Sequence, residues 1–389
     1  MRVLMVDAAG FSPPYDYSLV GALRDAGVDV DLIEPPDMRS AWSDHDASVT
    51  PPRFKRLSRV LKGAAYVARM RALLRRVDAE RPDVVHFQWL ALPAIDGYVI
   101  NRLRGRCALV FTMHNTSLFH GAASSGVQGW NVNDVYAQFD RIIVHSEFGR
   151  RAALASGRAR DEQLVRIPHG AFSHYAQLCP PDRAQRSESP RLLFVGSIKP
   201  YKGLDVLIRA FALMRQAMPE STARLVVAGY PSMPMDPLFA LAASLGVAEH
   251  IDWRLRHLTE RELAGEIAAS HAVLLPYREI DQSGILLAAV AMQRTVIGSA
   301  IGGFPEIIEH ERHGLLVPPG DPEALGAALV RFVSSPLRKS RFEDELGALA
   351  GGDLSWNHVA LATISAYRGL HGGDHNSSFG QEPHPPASL

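Results

Sequence analysis

Two lysines in one short loop are the residues best placed for chemistry. Lys199 and Lys202 lie in FVGSIKPYKGLDVLIRAF (194–211), between an apolar run that ends at Gly196 and a helical pattern that starts near Leu204. In a parallel α/β sheet such a loop lies at the carboxyl edge, where ligands bind, and a helix start favours phosphate. The two ammonium groups therefore predict a phosphate site. The alternative is that both lysines are solvated loop residues.

A second polar loop has the same form. Residues 276–321 contain a strand-like run, the loop DQSG and an apolar helical segment that begins at Ile285. Ser283 and Gly284 occupy positions where backbone N–H groups at a helix start can bind an anion. The alternative interpretation is a plain helix cap by Asp281 or Ser283.

The elements that must position these loops follow from the apolar pattern. Short runs rich in Val and Ile alternate with helical patterns, which indicates parallel strands buried on both faces. The predicted strands form two series, at 3–6, 30–33, 84–87, 108–114 and 141–146, then at 191–197, 224–230, 250–254, 272–276 and 295–299. We therefore predict an α/β protein with two doubly wound domains.

The domain boundary is expected in the polar, proline-containing segment 179–190, which is typical of a linker. It separates an N-terminal domain of residues 1–180 from a C-terminal domain of residues 181–355. Residues 356–370 are predicted to form a closing helix that packs back on the N-terminal domain. Residues 371–389 have little to bury and are predicted to be disordered.

Composition excludes several classes of protein. The chain has 389 residues, enough for two cores, and its 47% hydrophobic and 21% charged residues are typical of a globular protein. Lys plus Arg and Asp plus Glu are both 41, so no overall charge favours nucleic acid. Two cysteines, Cys107 and Cys179, argue against a disulfide framework and fit a reducing compartment. No apolar run approaches a membrane span, and the opening residues predict a buried strand rather than a secretion signal.

Taken together, the two loops resemble the retaining nucleotide-sugar glycosyltransferases of family 4, of the polysaccharide-building type. VGSIKPYKGLDVLI is similar to the family's glycine, basic residue and lysine–glycine run, and GGFPEIIEHERHGLLVPPGDPEAL to its nucleotide-sugar loop. The resemblance is specific over residues 191–325 and looser in the N-terminal half. It implies the GT-B fold, two Rossmann-like domains facing a cleft, with the donor held mainly by the C-terminal domain. It also implies retention at the anomeric carbon and a nucleotide diphosphate sugar as donor substrate, with no other cofactor.

The resemblance implies roles for individual residues. Lys202 is expected to hold the departing diphosphate and, with His114, to be catalytic. Glu306 is expected near the nucleotide. The full set of donor-binding residues that we expect is Gly196, Ser197, Lys199, Gly229, Glu279, Gln282, Ser283, Gly284, Ile285 and Glu306.

Two departures from the family pattern concern donor recognition. The family often has an arginine directly after the first glycine, where this chain has Ser197; Lys199 is the nearest replacement, as a point charge without a fork. The second glutamate of a family pair falls at Ala288, which cannot bind a ribose hydroxyl, although Glu279 precedes it in the loop. The binding of ribose and the identity of the nucleotide therefore stay open.

In the N-terminal half, the segment FTMHNTSLFHG ends a strand with His114 and Asn115. The family has a histidine at such a strand end, so we expect His114 to hydrogen-bond the donor sugar; a structural histidine is the alternative. His169, in the turn IPHGAF, is a further donor-site candidate. The acceptor is expected beside Asn115 and the turn after the first strand, which holds Gly10 and Asp16.

Residues 53–77 hold nine Lys or Arg and no acidic residue. A basic amphipathic helix is typical of contact with an anionic membrane surface. Family members often modify lipid-linked acceptors on the inner face of the bacterial membrane. The alternative is a solvated helix packed on the N-terminal sheet. The apolar stripe that we predict for this helix is Leu57, Val60, Leu61, Val67, Met70 and Leu74.

We therefore predict a cytoplasmic glycosyltransferase, peripheral on the inner membrane face, that moves a sugar to a glycan or lipid-linked acceptor. No metal is expected, because no Asp-x-Asp lies in a strand-end loop and no His/Cys cluster has ligand spacing. One alternative is phosphorylase-like or phosphosugar-synthase chemistry on the same fold. Another is a non-catalytic sugar-nucleotide-binding or scaffold protein, which the missing second glutamate suggests. A dinucleotide oxidoreductase is disfavoured, since no G-x-G-x-x-G follows the first strand.

Overall fold

The computed structural model describes most of the chain, namely residues 1–36, 38, 59–115, 135–180 and 189–370. The predicted tail at 371–389, most of the predicted linker and the start of the basic segment lie outside the described residues.

The N-terminal domain is built on a six-stranded parallel sheet in the order β2-β1-β3-β4-β5-β6. Its strands are β1 (Arg2–Val6), β2 (Asp29–Ile33), β3 (Val84–Phe87), β4 (Ala108–Met113), β5 (Arg141–Val144) and β6 (Leu164–Arg166). The helices described with it are α1 (Pro13–Asp25), α2 (Arg59–Glu80), α3 (Pro93–Leu103) and α4 (Glu147–Ala155). The short helix that follows, α5 (His174–Leu178), places Tyr175 in the core of the C-terminal domain.

The C-terminal domain has a second six-stranded parallel sheet, in the order β12-β11-β10-β7-β8-β9. Its strands are β7 (Arg191–Val195), β8 (Arg224–Ala228), β9 (Ile251–Arg254), β10 (Ala272–Leu275), β11 (Thr295–Ser299) and β12 (Gly314–Val317). The helices that follow are α6 (Leu204–Ala217), α7 (Asp236–Ser244), α8 (Glu260–Ala268), α9 (Gly284–Ala291), α10 (Phe304–Ile307), α11 (Pro322–Val333), α12 (Pro336–Gly351) and α13 (Trp356–Arg368).

Each sheet has one point where the chain reverses its direction of travel. In the C-terminal sheet the chain moves outward from β7 through β8 and β9, then returns to add β10 on the other side of β7. In the N-terminal sheet it moves from β1 to β2 and returns to β3. The loops beyond the carboxyl ends diverge at such a switch point and leave a crevice for a ligand.

The last helix, α13, joins the N-terminal domain. Val359, Ile364 and Tyr367 of α13 are buried in one cluster with Leu19 of α1 and with residues of the N-terminal strands. The Tyr367 hydroxyl lies 2.6 Å from Nδ1 of the buried His86 on β3. The end of the chain that follows the C-terminal domain therefore contributes to the core of the other domain.

The structure confirms the predicted fold class and shows every predicted strand, with β6 and β12 in addition. The helix expected from Ile285 begins one residue earlier. The predicted apolar stripe of the basic helix is partly wrong: Leu61 is exposed, and the buried face of α2 is formed by Tyr66, Met70, Leu73 and Val77. Among the described helices, none is both long and apolar enough to cross a membrane.

Candidate active site

The crevice between β7 and β10 brings together the two polar loops identified in the sequence. The loop after β7 ends in a turn of 3-10 helix, Pro200–Lys202, directly before α6. The loop after β10 runs from Pro276 to the start of α9. The Arg278 N–H donates to the Tyr201 carbonyl at 2.7 Å and ties the two loops together.

Lys202 is the buried cation of this crevice. Its side chain is 8% exposed, and its Nζ lies 5.4 Å from the centre of the Tyr277 ring. Within the described residues it forms no ion pair with a carboxylate, and burial together with the charge of Lys199 lowers its pKa to about 8. A buried ammonium without a counter-charge is costly, so an anionic ligand would stabilise it.

Two glycines allow the loops to approach closely around Lys202. A Cβ at Gly229 would lie 2.0 Å from the carbonyl oxygen of Gly196, and Gly196 itself has a φ of +102°. A Cβ at Gly196 would lie 3.4 Å from Nζ of Lys202 and 3.5 Å from the side chain of Ile285. The expected donor-binding residues Gly196 and Ile285 therefore lie beside the ammonium group, and Gly229 packs on Gly196.

The start of α9 forms the other wall. Ser283 caps the helix, since its hydroxyl accepts from the Leu286 N–H at 3.3 Å. The first N–H groups of any helix have no partner within it, so Gly284 and Ile285 present theirs toward an incoming ligand. Both polar atoms of the Gln282 side chain are buried and have no hydrogen-bond partner within the described residues. Such a buried polar group costs about 1–3 kcal/mol, which ligand hydroxyl groups would recover.

Glu306 has a partner that the sequence did not predict. Its carboxylate accepts from the N–H of Glu147 at 2.6 Å and of Phe148 at 2.8 Å, the first two residues of α4 in the N-terminal domain. Arg166 lies 3.9 Å away. A carboxylate is stabilised at a helix N-terminus, so in this conformation Glu306 joins the two domains.

The remaining donor-side positions are more open. Ser197 is exposed, and its hydroxyl lies 3.3 Å from that of Ser232; Glu279 is exposed and Lys199 half-buried. Ala288, where the family's second glutamate is expected, is fully buried in the C-terminal core. The methyl group of Ala288 therefore offers no carboxylate to the crevice.

Across the cleft, three histidines follow consecutive strands of the N-terminal sheet. His114 comes after β4, His145 after β5 and His169 after β6. Nδ1 of His114 lies 3.3 Å from Nε2 of His145, and its Nε2 lies 3.1 Å from Oε1 of Gln88. The ring of Trp89 stacks on His114 with centroids 4.9 Å apart. In this conformation both nitrogens of His114 have protein partners, so a sugar hydroxyl must replace one of them.

Burial keeps this imidazole cluster, His114, His145 and His169, neutral near pH 7. Burial and the neighbouring imidazoles hold the pKa of His114 well below its usual value. Burial also lowers the pKa of His145 to about 4 and that of His169 to about 3. Neutral rings donate and accept hydrogen bonds without adding charge beside a ligand.

The expected acceptor residues have different positions. Asp16 is 1% exposed, its carboxylate accepts from the Ser12 hydroxyl at 3.2 Å, and burial together with Asp7 raises its pKa well above the usual value. In this conformation Asp16 is closed off from the cleft, and its contact with an acceptor stays a prediction. Its link to the site passes through Ser12, which accepts from Nε1 of Trp89 at 2.8 Å. Gly10, with a φ of +70°, donates to Asp7 at 2.9 Å in the same loop.

The two halves of the site meet between the domains. The ring of Phe172 lies 5.1 Å from that of His169, and a Cβ at Gly284 would be 3.2 Å from Phe172. Ser146, next to the imidazole cluster, would be 3.4 Å from a Cβ at Gly303. The imidazole cluster and the Lys202 crevice therefore line one interdomain cleft, with Asn115 half-buried beside His114.

Several residues of this cleft were not identified from the sequence. His145 lies near the end of the predicted strand 141–146, and Trp89 lies two residues beyond the predicted strand 84–87. The rule that parallel strands end at one edge of the sheet would have brought them together with His114. Gln88 could have been found in the same way, because it directly follows a predicted strand. The position of Phe172 could not, because its contacts depend on how the domains meet. Among the described residues, no group of three His, Cys, Asp or Glu side chains is arranged to hold a metal ion.

Family comparisons divide the chain at the same place as its two sheets. Residues 15–171 match the model described as Glycosyltransferase Family 4, and residues 189–335 match the model described as Glycosyl transferases group 1. The first match covers most of the N-terminal sheet and the imidazole cluster. The second covers the Lys202 crevice.

Two curated relatives carry the name D-inositol 3-phosphate glycosyltransferase. One, from Rhodococcus jostii, is 33% identical over 48% of this chain, which corresponds to 42% of its own length. The other, from Thermobispora bispora, is 27% identical over 93% of this chain and 90% of its own length.

Solved structures share the fold at lower identity. A sucrose-phosphate synthase from Thermosynechococcus elongatus aligns with a TM-score of 0.69 and 20% identity, covering 95% of this chain and 99% of its own. The Anabaena protein HepE in complex with UDP aligns with a TM-score of 0.69 and 15% identity, covering 95% of this chain and 100% of its own. These alignments confirm the predicted GT-B arrangement of two Rossmann-like domains.

Proposed function

We propose that this chain, which consists of a Glycosyltransferase Family 4 domain followed by a group 1 glycosyl transferase domain, transfers a sugar from a nucleotide diphosphate to an acceptor hydroxyl. The bond from the anomeric carbon to the diphosphate breaks, a bond from that carbon to the acceptor oxygen forms, and the proton of the acceptor hydroxyl passes to the departing diphosphate. We propose that configuration at the anomeric carbon is retained. The observation that carries the proposal is the buried Lys202 ammonium in the β7–β10 crevice.

The charges of the crevice suit the departure of a diphosphate. Negative charge grows on the leaving group as the bond breaks, and preorganised donors aimed at that charge accelerate such steps. Lys202, the half-buried Lys199 and the free N–H groups at the start of α9 are donors of this kind. The buried amide of Gln282 is available to the sugar hydroxyls.

On the opposite wall we propose that the imidazole cluster orients the reacting sugar. Neutral His114 can donate or accept at a hydroxyl once the bond to Gln88 or to His145 is exchanged. Position 288 is a buried alanine and not the second family glutamate. We therefore propose that other groups of the crevice bind the ribose. The base and the sugar of the donor are therefore questions for a binding screen.

For the acceptor we propose a glycan or a lipid-linked molecule. The names of the relatives add a phosphorylated polyol as a compound to test.

We propose that the protein lies at the cytoplasmic face of the membrane. The exposed side of α2, which includes Leu61, Arg71 and Arg75, would then contact anionic lipid. Arg76 forms ion pairs with Asp31 and Glu80, so we expect it to stabilise the fold and not to contact lipid. Cosedimentation with phosphatidylserine vesicles should weaken with salt and on Arg75→Ser.

The experiment that tests the transfer is a panel of nucleotide sugars. Thermal shift identifies the donor, because a ligand that binds the folded state raises Tm, and product formation is then followed with candidate acceptors. We expect one nucleotide sugar to stabilise the protein and to be consumed, with activity retained in excess EDTA. Complete loss of activity in EDTA that metal restores would contradict a site in which lysines and helix N–H groups replace a cation.

The second candidate is a non-catalytic nucleotide-sugar-binding protein on the same fold. The observation in its favour is the buried Ala288 in place of a family carboxylate. The same panel separates the two functions. A donor that raises Tm but is neither hydrolysed nor transferred with any acceptor supports binding without catalysis.

A further inference from the structure

The imidazole cluster contacts a backbone carbonyl group that decides where its protons lie. Nδ1 of His145 is 3.0 Å from the carbonyl oxygen of Ile167. A carbonyl oxygen can only accept a hydrogen bond, so Nδ1 of His145 carries a proton. Burial lowers the pKa of His145 to about 4, and a neutral imidazole has a single N–H. Near pH 7, Nε2 of His145 is therefore an acceptor without a proton.

This acceptor determines the tautomer of the next ring. Nδ1 of His114 lies 3.3 Å from Nε2 of His145. Because Nε2 of His145 accepts, Nδ1 of His114 must donate. Burial and the neighbouring imidazoles hold the pKa of His114 well below its usual value, so the ring has no second proton. Nε2 of His114 therefore presents a lone pair.

The side chain of Gln88 can satisfy this lone pair. One end of its amide lies 3.1 Å from Nε2 of His114 and the other 3.4 Å from Nε2 of His86. The two ends of an amide have the same shape and are assigned from their partners. With its NH2 end at His114, the amide turns its oxygen to His86. The Tyr367 hydroxyl, 2.6 Å from Nδ1 of His86, matches this arrangement when it donates, because Nε2 of His86 then carries the proton.

Of the two partners of His114, Gln88 is the one that a ligand can displace. His145 is held by the Ile167 carbonyl, and its ring packs against those of Tyr15 and His169 with centroids 5.4 and 5.0 Å away. Gln88 contacts His114 through an amide at the end of a long side chain that can rotate. A sugar that reaches His114 therefore meets Nε2.

We propose that His145 is a positioning residue that makes Nε2 of His114 a pure hydrogen-bond acceptor, so that the donor sugar must present a hydroxyl group that donates to it. A carboxylate or an ether oxygen at that position has no proton and would face the lone pair. This inference rests on the proposed function, because it names the class of sugar that the same site takes.

The tautomer is measured first, without any ligand. Long-range proton–nitrogen NMR spectra of protein with isotope-labelled histidine distinguish a ring nitrogen that carries a proton from one that does not, and His114→Gln assigns the signals. We expect the proton on Nδ1 of His114 in wild type. His145→Gln should keep it there, because the amide oxygen can still accept. In His145→Phe it should move to Nε2, because phenylalanine offers no acceptor and the oxygen of Gln88 does.

The second measurement is the selectivity for the donor. Thermal shift selects the donor from UDP-glucose, UDP-galactose, UDP-N-acetylglucosamine and GDP-mannose, and analogues with each sugar hydroxyl replaced in turn by fluorine are titrated by calorimetry. One analogue should bind wild type and His145→Gln at least about tenfold more weakly than the parent compound, because fluorine has no proton to donate. In His145→Phe that difference should shrink to about threefold or less, because an N–H at Nε2 can donate to either group.

The control is His313→Phe, which removes a buried imidazole of the C-terminal domain that accepts from the Glu309 N–H at 3.1 Å. It should keep the selectivity of wild type. A purely structural role for His145 would weaken the parent compound and all analogues alike in His145→Phe, and this result would overturn the proposal. A proton on Nε2 of His114 in wild type would also overturn it. If no nucleotide sugar raises Tm, the proposed transfer is contradicted, whereas a donor shift with the other tautomer contradicts this inference alone.

Discussion

At the scale of single residues, Lys202 is the residue whose pKa we expect a bound diphosphate to change. Its ammonium is buried over Tyr277 and has no carboxylate partner in the part of the chain that the structure describes, which lowers its pKa to about 8. A diphosphate next to it would favour the charged form and raise that pKa again. The free enzyme and the donor complex therefore differ in the protonation of Lys202 at mildly alkaline pH.

This difference predicts a pH dependence. The kcat/KM for the donor reports groups of the free enzyme, so it should be level below pH 8 and fall about tenfold per unit above it, as Lys202 loses its proton. In Lys202→Arg the guanidinium stays charged throughout, and the fall should disappear even if the activity is lower. The measurement is a pH–rate profile of both proteins. A wild-type profile that stays level well above pH 8 would contradict a catalytic role for the lysine charge.

Local pattern was enough to locate some residues of the site and not others. Lys202 and Ser283 each follow a strand and precede a helix, so their positions at one crevice could be predicted from the order of elements. The contact of Glu306 with α4 and that of Phe172 with Gly284 join different domains. Neither is encoded in the neighbouring sequence. The burial of Asp16 could not be predicted either, because a carboxyl group in a polar turn gives no sign of being buried.

At the scale of elements, the start of α6 depends on one glycine. Gly203 lies between the 3-10 turn and α6 with a φ of +67°, and a Cβ there would be 2.1 Å from the Pro276 carbonyl oxygen. This contact sets the distance between the loop that carries Lys202 and the loop after β10. A side chain at position 203 would separate the two loops.

We therefore predict that Gly203→Ala lowers the free energy of unfolding more than its matched control. Gly246→Ala has almost the same backbone, with a φ of +68°, but nothing lies within 4 Å of its Cβ position. The control should lose about 1–2 kcal/mol from the left-handed conformation alone, and Gly203→Ala should lose more because a carbonyl must move. Urea unfolding of both variants provides the comparison. Equal losses would contradict a close contact between Gly203 and the Pro276 carbonyl group.

Every predicted run contains a strand. The two strands that were not predicted, β6 and β12, each lie at one edge of a sheet and have three and four residues. In α2 the helix itself was predictable, but its buried face includes Tyr66, which bonds Asp96. A stripe chosen only from aliphatic residues therefore missed the true face.

At the scale of the whole molecule, the two domains touch in two places: where the chain returns to the N-terminal domain before α13, and at the interdomain cleft. Ala171 N–H donates to the Leu354 carbonyl at 2.8 Å, and Nε1 of Trp356 donates to the Ala171 carbonyl at 2.7 Å. On the cleft side, Glu306 caps α4. The two-domain plan was predictable from two series of strands, but this closed arrangement depends on surfaces that only the folded domains form.

Glu306→Gln should favour a more open arrangement of the domains. The amide lacks the negative charge that a helix N-terminus stabilises by about 0.3–1 kcal/mol, so closure should weaken and KM for the donor should rise a few-fold. Small-angle scattering should report a larger radius of gyration. Glu309→Gln, which removes only a surface pair with Arg312, is the control. An unchanged radius and KM in Glu306→Gln would contradict the role of this contact in closure.

The central claim is that Lys202 stabilises a departing diphosphate, and steady-state kinetics of Lys202→Ala beside Lys199→Ala tests it most directly. The charge on the leaving group grows in the transition state, so the loss should fall on kcat more than on donor affinity. We predict that Lys202→Ala folds normally by circular dichroism and loses about 100- to 1,000-fold in kcat, equivalent to about 2.7–4 kcal/mol. Lys199→Ala should be milder, because Lys199 is less buried. A folded Lys202→Ala enzyme with kcat within about threefold of wild type would contradict the proposed site.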